Sequence, residues 1–142
     1  MKTRYRKEWR EMGGRGASSG ISDKGKPYGS EYRTVYQSGN IKFVTPNDGQ
    51  VKAPLETMTS GRIYVTIGSD GEPRYISYYD KTNRKKKQID LKGNPHTING
   101  RKELPHTHKG YLHDENGSFA LSSREKKMVD RVRKTWYNRH SN

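Results

Sequence analysis

The chain has 142 residues, no cysteine and a formal net charge of +14. That length suits one domain, and the absence of cysteine excludes disulfides, thiolate metal sites and cysteine nucleophiles. The cation excess points to a polyanionic partner, most often nucleic acid.

No run approaches the ~18 apolar residues of a spanning helix. The start, MKTRYRKEWREMGG, is charged throughout and lacks the apolar centre of a signal peptide. A soluble, intracellular protein without a membrane partner is expected. Leu, Ile, Val and Phe together number 20, about 14% of the chain, which approaches the composition of a disordered protein. Ten tyrosines and two tryptophans supply the large side chains that a small core needs.

Residues 1–27 read as a flexible, basic, Gly/Ser-containing arm. GGRGASSG, Gly13 to Gly20, is its linker-like part. No strand precedes it and its glycine spacing is wrong for a dinucleotide loop. Residues 28–142 read as a single α+β domain.

EYRTVYQ and NIKFVT are β-branched and aromatic, and Ser38-Gly39-Asn40 between them predicts two strands around a turn. TPNDGQVKAP predicts a loop. In GRIYVTIGSDGEPRYISYYD, Ile63, Val65 and Ile67 alternate with Tyr64 and Thr66. SDGE supplies turn chemistry, and Ile76 and Tyr78 then share one side. The pattern predicts a hairpin with one core face. KKKQIDL predicts a third strand of the meander, with Ile89 and Leu91 inward. KGNPHTINGRKELP, Lys92 to Pro105, predicts a long turn-rich loop.

Ser122 and Glu125 form an S-x-x-E capping box before an apolar run. Leu121, Met128, Val132 and Trp136 share one helical face, with Val129 at its edge. Arg124, Lys127, Arg131 and Lys134 fall opposite. The expected fold is α+β: a small twisted antiparallel sheet of four or five strands packed by a C-terminal amphipathic helix. The tyrosine-rich second face of the sheet is expected to stay partly open.

Two cationic features suit a phosphate backbone. NRKKKQ carries Arg84, Lys85, Lys86 and Lys87 in succession, a density that binds phosphates by charge and counterion release. The helical stripe Arg124, Lys127, Arg131 and Lys134 adds to it. Tyr75 and Tyr79, pointing away from Ile76, offer faces for base stacking. The plainer alternatives are a solvated surface, lysines that guard a sheet edge, and tyrosines that fill core.

ELPHTHKGYLHDENG, Glu103 to Gly117, holds His106, His108 and His113. If HTH is extended, His106 and His108 point the same way, roughly 7 Å apart along the strand. Thr107 and Lys109 then point the other way. Three uses are open. H-x-H is a metal-ligand spacing, with His113, Asp114 or Glu115 as a third donor, although the cationic surroundings oppose a dication. The rings also suit general acid–base catalysis on RNA, where one group takes the 2′-OH proton and another protonates the leaving 5′-oxygen. Or they are structural groups in a loop.

The segments IDL, LPHTHKGYLHDENG and REKKMVDRVRKTW resemble small phage and mobile-element proteins related to the polymorphic-toxin RNases of the bacterial toxin 50 type. Those proteins are assigned to the barnase–EndoU–colicin–RelE superfamily. The resemblance spans roughly Tyr28 to Trp136. It implies metal-independent RNA cleavage on a compact α+β fold, without a cofactor, in the bacterial cytoplasm. It implies an active site of His106, His108 and Thr107 with Lys87 or Lys109. In a ribonuclease of this kind His113 or Tyr111 would assist. RNA or another nucleic acid is the implied partner, and an acidic immunity protein a further one. A non-catalytic nucleic-acid-binding accessory protein of a phage or mobile element is the alternative.

Overall fold

The computed structural model describes residues 31–47, 49–92, 96–98, 101–103, 105–111 and 117–139. The N-terminal arm, His113 and His140 lie outside them. The strands are β1 (Tyr32–Ser38), β2 (Ile41–Pro46), β3 (Ile63–Ile67), β4 (Pro73–Tyr79), β5 (Lys85–Asp90), β6 (His96–Ile98), β7 (Arg101–Glu103), β8 (His106–Lys109) and β9 (Ser118–Ala120). One helix follows, α1 (Ser123–Tyr137).

The fold is α+β, dominated by strands. Seven of them form one sheet in the order β1-β2-β3-β4-β5-β8-β9, and β6 and β7 form a separate two-stranded ribbon. Every neighbouring pair in the large sheet is antiparallel except β2 and β3. The β1–β2 hairpin and the β3–β4–β5 meander fall where alternation and turn residues placed them. The sheet is larger than the expected four or five strands. The stretch expected as a long loop contains β6 and β7, which are only three residues each and carry no alternating apolar signal.

The core lies between the sheet and the helix. Ile41, Phe43, Val65, Ile67, Ile76, Ile89 and Leu91 meet Val129, Val132 and Trp136. Each fully buried Ile, Val or Phe stabilises by roughly 1.5–3 kcal/mol. Phe43 and Trp136 stack with ring centroids 5.2 Å apart. Trp136 Nε1 donates to Gly71 O at 3.1 Å, tying the end of α1 to the β3–β4 turn. The start of α1 carries the full capping box of Ser122 and Glu125.

Much of the second face of the sheet is covered, while Tyr75 stays half-buried and Ala120 exposed. Parallel neighbours need a crossover, and the connection from β2 to β3 runs over Tyr32, Val44, Tyr64 and Tyr79. Tyr32 Oη donates to Lys52 O at 2.7 Å and Tyr79 Oη to Pro54 O at 2.6 Å. The same segment reaches the start of β5, where Lys85 N donates to Leu55 O at 2.8 Å. No helix among the described residues is long and apolar enough to cross a membrane.

Candidate functional site

The HTH segment is extended, as expected, and forms β8 inside the sheet. It pairs on one side with β5, placing Asp90 opposite His106, Ile89 opposite Thr107, Gln88 opposite His108 and Lys87 opposite Lys109. On the other side Ala120, Phe119 and Ser118 of β9 face His106, Thr107 and His108. Strand alternation then sorts these residues onto two faces.

On the face away from α1, the two rings turn toward one another. His106 Nε2 lies 2.8 Å from His108 Nε2, and the rings meet edge to face with centroids 4.5 Å apart. Asp90 Oδ2 lies 3.1 Å from His108 Nε2 and 3.7 Å from His106 Nε2. Both histidines are covered, at 1% and 2% exposure. His108 Nδ1 lies 2.9 Å from Ser118 Oγ. Gln88 Nε2 donates to Asp90 Oδ1 at 2.7 Å, and Lys85 Nζ donates to Gln88 Oε1 at 2.6 Å. A continuous polar chain thus runs from Lys85 to Ser118.

Burial alone would raise the Asp90 carboxyl. Hydrogen bonds from His108 and Gln88, with the charges of His108 and His106, outweigh it and hold the group below its usual range. Burial pushes the Lys85 ammonium down to about 8, against the opposing pull of Asp90.

Lys85 reaches this face through a β-bulge. Tyr78 pairs with Lys87 but Tyr79 pairs with Lys85, so Lys86 is the extra residue. A bulge of this kind breaks the strict alternation. It leaves Lys86 exposed and turns Lys85 inward at 7% exposure. Lys85 is therefore removed from the expected phosphate-binding run. Tyr79 is likewise removed from base stacking, since the crossover holds its hydroxyl and its ring packs edge-on against Tyr64. Tyr75 stays half-buried.

On the helix face stand Lys87, Thr107 and Lys109, across the sheet from the histidines. Lys87 Nζ contacts Glu125 Oε2 at 2.7 Å, and Thr107 Oγ1 donates to Glu125 Oε1 at 3.0 Å. Glu125 Oε1 also accepts from Ser122 N at 2.9 Å. Lys87 Nζ lies 4.6 Å from the centroid of Tyr78, whose hydroxyl burial and the Glu125 charge push up to about 12. Lys109 is exposed, with Nζ 4.4 Å from the centroid of the Phe119 ring. Tyr111 is half-buried beneath the Arg84 guanidinium, 3.8 Å from its ring centroid.

The centre implied by the resemblance is thus divided by the sheet. The histidines keep one another, while Thr107 and Lys87 serve the helix cap. Asp90, Gln88 and Ser118 were missed. The signal for two of them was present: Gln88 and Asp90 alternate with the inward Ile89 and Leu91. Arg84, Lys86, Lys109, Arg124, Lys127, Arg131 and Lys134 are exposed, as a phosphate contact requires.

Compared with known proteins, the chain matches no family model, no curated protein and no solved structure.

Proposed function

We propose that the chain is an endoribonuclease-like protein that cleaves RNA without a metal, using histidine acid–base chemistry and the RNA's own 2′-OH. The observation that carries the reading is the 2.8 Å approach of the two Nε2 atoms beside Asp90. A proton held between two rings leaves one as its carrier and the other as its acceptor. That is the complement of acid and base that transesterification needs. Asp90 Oδ2 lies against both rings and orients the pair. The RNA's backbone binds exposed cations such as Arg84 and Lys86. In this reading the sheet is twisted and α1 is amphipathic. The chain derives from a phage or prophage, is related to toxin RNases of the toxin 50 type, and acts in the bacterial cytoplasm.

The rings lie 2.8 Å apart and are covered. A phosphodiester reaches them only when what covers the rings moves aside. That burial favours a second reading, a non-catalytic nucleic-acid-binding accessory protein in which the histidines hold the fold.

One experiment separates the two. RNA is incubated with the purified chain in EDTA and its ends are analysed. The first reading expects 2′,3′-cyclic phosphate ends. His106→Ala or His108→Ala should each slow cutting by about 10²–10⁴ with RNA binding retained. Intact RNA with the native chain, or full activity in the double alanine variant, overturns it. The second reading expects binding that falls steeply with salt and no product.

A further inference from the structure

Asp90 Oδ2, His106 Nε2 and His108 Nε2 lie 2.8, 3.1 and 3.7 Å from one another. With both rings in the tautomer that carries hydrogen on Nδ1, all three atoms offer lone pairs. A triangle with these edges has a circumradius of about 1.9 Å, just inside the ~2.0–2.2 Å bonds of zinc to histidine and carboxylate. A point slightly off its plane is therefore at bonding distance from all three. We propose that Asp90, His106 and His108 form a binding site for one zinc-like divalent cation.

The neighbours of Asp90 and His108 suit this role. Histidines that bind metals have their other ring nitrogen held by an outer partner, which fixes the tautomer. Ser118 Oγ stands at His108 Nδ1 in that position. Gln88 donates to Asp90 Oδ1, leaving Oδ2 for the ion. The Lys85 ammonium hydrogen-bonds Gln88. Two imidazoles and one carboxylate favour zinc and its neighbours over magnesium or calcium. They also leave a coordination position open. Strand β8 supplies two donors and β5 the third, so the geometry is set by sheet register and not by a loop.

The effect on activity rests on the ribonuclease reading. The ion takes the lone pairs that would carry the shared proton and releases that proton to solvent. Zinc then inhibits the metal-free cleavage.

The test uses the full chain without a polyhistidine tag, stripped with a chelator. Zinc is titrated in competition with a chromophoric chelator, and cobalt(II) is followed by its visible absorption. One ion per chain is expected. Asp90→Asn, which keeps size and shape, should weaken binding at least tenfold. Gln88→Ala and Ser118→Ala should each weaken it by about 10–100-fold. Circular dichroism confirms that each variant is folded. Failure of the native chain to bind one ion, or unchanged affinity in folded Asp90→Asn, overturns the site. In the RNA assay zinc should stop cleavage and EDTA restore it; zinc binding with undiminished cleavage overturns the competition. Absence of cleavage under every condition sinks the ribonuclease reading, while the titration still decides the metal site.

Discussion

The two faces of the β5–β8 pair carry polar groups from the same few residues and use them in opposite ways. Toward the helix, Lys87, Thr107 and the Ser122 amide all meet the Glu125 carboxylate near the start of α1. Away from it, Asp90 Oδ2 and the two Nε2 atoms lie within 3.7 Å of one another. The first arrangement pairs opposite charges. The second shares a proton among its members or, with that proton gone, has room for a cation. Alternation along a strand thus separates groups that hold the fold from groups that can do chemistry, although they are adjacent in sequence.

Substitutions on the two faces should part company most widely in activity. Under the ribonuclease reading, His108→Ala should cost about 10²–10⁴ in cleavage rate. Thr107→Val, of similar shape but on the helix face, should leave the rate within a fewfold. A Thr107→Val enzyme as dead as His108→Ala would erase the distinction between the faces.

Stability should show the reverse. Glu125→Ala removes the reciprocal cap, the Lys87 contact and the Thr107 hydrogen bond together. A cap costs about 1 kcal/mol and each further bond about as much, so a loss of about 2–4 kcal/mol is expected in denaturant unfolding. Burial alone would raise the Glu125 carboxyl. The Lys87 hydrogen bond, the Ser122 amide, the Lys87 charge and the Thr107 hydroxyl outweigh it, and the group sits below its ordinary 4.5. A carboxyl lowered by folding contributes stability that is present above its unfolded value and lost as pH falls through the folded one. Native stability should therefore decline as pH drops below about 4.5, and Glu125→Gln should flatten that decline.

Smaller effects test the bulge. Lys86→Gln should reduce the salt dependence of RNA binding by a slope of about one. Lys85→Gln, one residue earlier but buried, should leave the slope unchanged. Least of all, Tyr79→Phe should cost about 1 kcal/mol of stability, the worth of its bond to Pro54 O, with RNA affinity unaltered.

Local signals were the legible ones. Alternating Ile and Val marked β3 and β4, and Ser122 with Glu125 marked the start of α1. The shared direction of His106 and His108 followed from a period of two. What lay hidden depended on distant pairing. Asp90 meets His106 only because β8 docks on β5 with that register. The parallel match of β2 with β3 requires a crossover that no local pattern announces, and that crossover buries Tyr32 and Tyr79. One inserted residue at Lys86 reversed the expected direction of Lys85.

The histidine strand is held between β5 and a three-residue edge strand, β9, and meets α1 at Glu125 through Thr107. Sub-global opening draws on the least protected elements first. Peeling β9 and β8 from β5 would dissolve the centre while Phe43, Val65, Ile76, Val132 and Trp136 stay packed. In amide hydrogen exchange, His106 to His108 should then open as a unit more readily than β3 and β4. Access to the two histidines would then be set by a local equilibrium, shallower than the unfolding of the whole molecule.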